Sequence, residues 1–143
     1  IVFSIGKSFF RNLAKLRAFR ILWANILQAA NFELNTSPFI SVQFAPESLS
    51  SDVHTNMIQA TTQAMSAVLG GADRLEVLPA DFPSTSSDGL TRRVARNLHH
   101  ILQMESHLDQ VIDPAAGSYF IENLSQSIAE KAYAVFSDMK APF

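Results

Sequence analysis

The sequence predicts a parallel α/β fold, about four β/α units that make half of an eight-stranded β/α barrel of the TIM type. Three observations predict it. Short apolar runs alternate four times with longer stretches of helical periodicity. The short runs are apolar throughout instead of alternating, the pattern of strands covered on both faces. Four such units in 143 residues are about half of a typical barrel of ~250 residues. An open doubly wound sheet has the same rhythm. However, no G-x-G-x-x-G or G-x-x-x-x-G-K-[ST] follows any of the strands, so its nucleotide-binding version has no support. The chain opens "IVFSIGKSFF", without Met and inside a strand, which reads as a piece of a longer protein.

Each element has its own justification. Ile1 to Ile5 is an apolar run ended by Gly6, a buried strand. Ser8 is positioned to cap a helix in which Phe9, Leu13, Leu16, Ile21 and Trp23 recur at helical spacing as far as about Ala30. The polar loop "NFELNTSP" leads to a second strand, "FISVQF", stopped at Ala45-Pro46. Asp52 precedes "VHTNMIQATTQAMSAVLGG", a helix that Gly70-Gly71 should end in the left-handed conformation. "RLEVLP" is the third strand and "ADFPSTSSDG" a loop rich in Ser, Pro and Asp. A third helix runs from Leu90 or Thr91 through "TRRVARNLHHILQMES". "QVID", ended by Pro114, is a fourth strand. "SQSIAEKAYAVFSDM" is the last helix, capped by Ser125 or begun earlier at Ser118.

Composition excludes several functions. The chain is 48% hydrophobic and 17% charged, enough to bury a core. A net charge of -2 leaves no basic footprint for nucleic acid and no polybasic stripe for a membrane surface. Without cysteine there is no disulfide, thiolate metal site or cysteine nucleophile; this fits a reducing, cytoplasmic location. No apolar run approaches the roughly 18 residues of a membrane span.

The polar residues offer few chemical constellations. "HHILQMESH" gathers His99, His100, Glu105 and His107. Adjacent residues on a helix point about 100° apart, and the helical zinc pattern needs histidines at i and i+4, so no metal site is expected. In "DVHTNM", Asp52 and His54 have the spacing of an Asp-x-His-x-x-Gly cobalt-ligand motif, but the sixth position is Met57. Asp52 reads better as a helix cap. "DPAAGSYFIENL" could form a ligand loop at a strand end or a plain turn. Lys7, Gln43, Glu47 and Asp81 also fall at strand ends, scattered and of mixed sign. No catalytic residue emerges. The residues expected at the barrel mouth, facing a substrate or cofactor, are Gln43, Asp81, Gly117 and Ser118.

Several longer stretches resemble one family. "SFFRNLAKLRAFRILWANIL", "NMIQATTQAMSAVLGGADRLEVLPAD", "ARNLHHILQMESHLDQVIDPAAGSYFIENL" and "SIAEKAYAVF" resemble, in order, the cobalamin-dependent acyl-CoA mutases, of which methylmalonyl-CoA mutase is the type. The patterns "AK-x-RA-x-R-x-LW" and "DP-x-x-GSY-x-x-E" are the specific ones. The resemblance covers nearly the whole chain. It implies that residues 1–143 are the C-terminal half of a (β/α)8 barrel, from the fifth strand to the eighth helix, with no cobalamin-binding domain in this stretch. It also implies an isomerase chemistry in which adenosylcobalamin supplies a radical inside the barrel.

The departures from the family are equally specific. Catalytic chains carry "H-x-Q-T-S-G-W" on the sixth strand; aligned without gaps from Asp52, this chain reads "ISVQFAP", with Ile40, Val42 and Ala45 at the His, Gln and Gly positions. At the seventh strand, "H-T-N-S-x-D-E-A" is replaced by Glu76-Val77-Leu78-Pro79-Ala80-Asp81. Buried Ile and Val would leave polar cofactor groups unpaired. In this the chain is similar to the small subunits of the heterodimeric mutases, which imply a large catalytic subunit as partner. The resemblance implies cofactor bound mainly by that partner, and a chain inactive alone. A catalytic mutase with a remodelled pocket and an unrelated flavodoxin-like binding domain are the alternatives. A half-barrel exposes two strand edges, so the isolated chain is expected to self-associate.

Overall fold

A computed structural model describes residues 1–32, 37–83 and 89–140, apart from the side chain of Lys140. The strand β1 (Val2–Ile5) leads through Gly6 into α1 (Phe9–Ala29). β2 (Ser41–Phe44) is followed by a 3-10 turn at Pro46–Ser48 and by α2 (Val53–Leu69). β3 (Arg74–Glu76) precedes α3 (Gly89–His100), which runs into a π-helical turn, Ile101–Glu105; the last element is α4 (Tyr119–Lys140). The three strands are parallel in the order β1-β2-β3, with Phe3 opposite Val42 and Val42 opposite Leu75.

The helix ends follow local chemistry. Ser8 holds the position before α1 but makes no capping hydrogen bond. Asp52 does cap α2, its carboxylate accepting from the backbone N–H of His54 at 3.1 Å and of Thr55 at 3.2 Å. α2 ends in a Schellman motif: Gly71 takes φ +82°, its N–H bonds Val68 O, and Ala72 N–H bonds Ala67 O. Gly70 serves closeness instead. A Cβ there would lie 3.0 Å from Leu16 Cδ1 and 3.2 Å from Leu13 Cα, so its absence lets α1 approach α2. α1 ends the same way on Asn31, at φ 57°, with Phe32 N–H bonded to Leu27 O.

The core lies on one face of the sheet. Ile5, Ile40, Val42 and Phe44 pack against Leu16 of α1, Ala60, Ala64 and Ala67 of α2, Leu98 of α3 and Leu102 of the π turn. The other face carries Val2, Ser4, Gln43, Arg74 and Glu76, all exposed, with Ser41 half-buried between them. The expectation of strands covered on both faces is thus corrected. Ser4, Gln43, Arg74 and Glu76 break the apolar runs at the outward positions, where no described residue covers them.

The fourth β/α unit is also corrected. Residues 110–112 form bends, and no strand spans 110–113, with Val111 61% and Ile112 98% exposed. Asp113 turns the chain at φ 49°, which a strand cannot accommodate. α4 begins at Tyr119, after Ser118; Ser125, the other candidate cap, is buried inside the helix. α4 packs on α1, to which the Asp113 segment is also bonded.

Candidate functional site

The strand register builds one polar row on the open face: Ser4 lies opposite Gln43, and Gln43 opposite Glu76. The Gln43 side chain donates to Ser4 Oγ at 3.4 Å. Behind the row, uncharged side chains grip the segments that leave the C-terminal ends of the strands. Asn12 Nδ2 donates to Gly6 O at 2.8 Å and to Ser66 Oγ at 3.3 Å. Ser48 Oγ donates to Ala45 O at 2.7 Å and accepts from Gln63 Nε2 at 2.9 Å. Asn56 binds both Ser50 and Ala80.

The four expected mouth residues bond to different elements. Gln43 is on the open face of the sheet. Asp81 follows the β3 segment and accepts from Thr91 Oγ1 of α3 at 2.7 Å. Gly117, at φ +80°, donates its N–H to Glu122 Oε1 at 3.1 Å, at the start of α4. Ser118 N–H bonds Ala115 O, and its carbonyl accepts Glu122 N–H at 2.9 Å. These bonds run to β1, α3 and α4, three separate places.

A charged node that the sequence reading missed lies between α1 and α4. Arg17 Nη2 is 2.8 Å from both Asp113 Oδ2 and Glu122 Oε1, and Arg17 Nη1 reaches Ser125 Oγ at 3.4 Å. The Arg17 bond, then the Gly117 N–H, hold the Glu122 carboxyl below its ordinary range; the same Glu122 bond, with Asp113, raises the guanidinium against the opposing effect of burial. Lys15 donates to Ser4 O beside the Phe3 ring, and its ammonium is lowered by burial and then by Arg11. Arg20 Nη2 bonds Gly71 O at 2.6 Å and Asp73 Oδ2 at 3.0 Å. The signal was in plain view: Lys15, Arg17 and Arg20 belong to one quoted pattern, and Asp113, Gly117 and Glu122 to the other. Their joint purpose is to clamp α4 and the strand ends to α1.

The histidines form no centre. No group of three or more His, Cys, Asp or Glu is arranged to hold a metal among the described residues. Burial and then the neighbouring His100 lower the His99 imidazole, and His107 ends the π turn at φ 50°.

The methylmalonyl-CoA mutase family profile matches residues 1–142. The chain belongs to the methylmalonyl-CoA mutase family. It is 40% identical over 138 residues to the methylmalonyl-CoA mutase small subunit of Porphyromonas gingivalis, a match over 94% of this chain and 22% of that protein. It is 37% identical over 142 residues to the methylmalonyl-CoA mutase of Rhizobium meliloti, over 97% of this chain and 20% of that one. The small subunit of Streptomyces virginiae is 36% identical over 132 residues, 92% of this chain and 21% of that protein. The chain thus spans about a fifth of the length of the curated relatives it matches. In this chain "AK-x-RA-x-R" and "DP-x-x-GSY-x-x-E" are two halves of one fastening. No helix among the described residues is long and apolar enough to cross a membrane.

Proposed function

We propose that residues 1–143 are the C-terminal half of the barrel of a mutase partner subunit. The whole protein would pair with a large catalytic subunit and support the adenosylcobalamin-dependent interconversion of methylmalonyl-CoA and succinyl-CoA without performing it. The single observation that carries this is the 40% identity to a protein named as a small subunit. The barrel reading draws support from the parallel sheet whose helices share one face; a flavodoxin-like sheet carries helices on both. In a closed barrel the row Ser4, Gln43 and Glu76 would face the interior, with Asp81, Gly117 and Ser118 near its mouth.

The residues present do not fit a cobalt ligand. The one Asp-x-His pair spends the Asp52 carboxylate on its own helix end, on His54 N–H and Thr55 N–H, and has Met57 where the motif has Gly. In this reading cofactor contact rests mainly on the partner, and the assembly works in the cytoplasm. Co-expression of the full-length chain with a large subunit should yield a stable heterodimer. Cobalamin binding and turnover by the full-length chain alone would refute the reading.

A second reading, a catalytic mutase with a remodelled pocket, is favoured by one observation. Ile40 and Val42 point into the core, and the residues on the open face are Ser41 and Gln43, both polar. Substitution of Gln43 by Leu separates the two. It should leave turnover of the heterodimer unchanged if the chain is a support, and lower it if this face binds substrate. The exposed sheet face and strand edges would make residues 1–143 alone self-associate, as light scattering would register.

A further inference from the structure

Asn56 of α2 is 1% exposed and uses its full hydrogen-bonding capacity on two loops. Its Oδ1 accepts from the Ser50 N–H at 2.8 Å and from Ser50 Oγ at 3.0 Å. Its Nδ2 donates to Ser50 O at 2.9 Å and to Ala80 O at 2.8 Å. One amide thus joins the segment after β2 to the segment after β3, each leaving the C-terminal edge of the sheet. Asp81 comes directly after Ala80 and is itself anchored to Thr91 of α3. Planar amide geometry fixes all four bonds together, so Ala80 cannot shift without turning the group that holds Ser50.

We propose that Asn56 is a positioning residue that makes residues 49–52 and 77–83 move as one unit. A displacement at Asp81, caused by a ligand or a partner seated on that edge, is thereby transmitted to the N-terminus of α2. The proposal stands on this geometry alone and survives if the support-subunit reading fails.

Amide hydrogen exchange on the full-length protein tests it. Asp81→Ala, which removes the far loop's bond to Thr91 of α3, should speed exchange of the Ser50 amide about fivefold, the scale of one ordinary hydrogen bond. In Asn56→Asp the carboxylate still accepts from Ser50 N–H but presents an oxygen to both the Ser50 and the Ala80 carbonyls. There Asp81→Ala should no longer reach Ser50. Acidification should restore part of the response, because a protonated carboxyl regains one of the amide's two donor bonds. A Ser50 amide indifferent to Asp81→Ala overturns the proposal even if Asn56→Asp does not fold. A Ser50 response undiminished in Asn56→Asp overturns it as well.

Discussion

Replacing Arg17 by Met tests whether α4 is fastened to α1 by the charged node. The Arg17 side chain is 11% exposed, whereas those of Asp113 and Glu122 are 39% and 44% exposed. Water can therefore take the place of the guanidinium on both carboxylates, and the Asp113 pair counts as a surface pair of about 0.2–1 kcal/mol. The Ser125 hydroxyl is 0% exposed and is left without its Arg17 partner, a penalty of about 1–3 kcal/mol. Methionine keeps most of the apolar stem in place. The loss from these two partners is about 1–4 kcal/mol, to be read as a lower denaturant midpoint with an unchanged slope. Lysine, which cannot fork between two carboxylates, should fall between methionine and arginine. Acid gives an independent check. Glu122 is depressed in the folded state, so its contribution is complete above its unfolded value of about 4.3 and is lost as pH falls through the lower folded value. Arg17→Met should remove much of that acid dependence. A variant with the wild-type midpoint and acid slope would show that α4 is held by apolar packing alone.

Three further outcomes follow from particular atoms. Gly71→Ala should lower stability by about 1 kcal/mol, because alanine is strained at φ +82°; an unchanged denaturant midpoint would contradict this. Asp52→Ala should lower the melting temperature and Asp52→Asn should largely restore it, since asparagine also caps; equal losses would mean that the cap is immaterial. The Asp52 carboxyl is held low by the Thr55 hydroxyl and then by the N–H groups of His54 and Thr55, so its contribution too fades as pH drops below the ordinary carboxylate range. Gln63→Met gives up the bond to Ser48, about 1 kcal/mol, but also removes a buried oxygen, Oε1, that has no partner among the described residues, a penalty of about 1–3 kcal/mol. The net expectation runs from neutral to about 2 kcal/mol more stable, and a clear loss in thermal melting would refute it.

Local signals were legible wherever chemistry is local. Asp52 and Gly71 could be read directly, because a carboxylate at a helix start and a glycine after its last turn act on neighbouring N–H and C=O groups. Helical spacing likewise placed α1 and α2. The segment at 110–113 failed for the opposite reason. Gln110 to Ile112 has strand-like composition, but a strand needs an edge to pair with, and Asp113 is drawn to Arg17, nearly a hundred positions earlier in the chain. The same distance hid the node itself. Neither pattern mentions the other, and no periodicity connects α1 to α4.

The sheet face decides how the departures in "ISVQFAP" should be weighed. A shift of one residue moves every side chain of a strand to the opposite face. An ungapped alignment sets Ile40 and Val42 at the polar cofactor positions, yet both are 0% exposed and lie against α1 and α2. The register with β1 and β3 instead presents Ser41 and Gln43, in rows with Val2 and Arg74 and with Ser4 and Glu76. Apolar residues at 40 and 42 are what a strand packed under helices requires, in a catalytic barrel or a silent one. Loss of chemistry therefore cannot be argued from those two residues. It must be argued from the open face, where Gln43 and Glu76 are the residues whose replacement would distinguish a pocket from a scaffold.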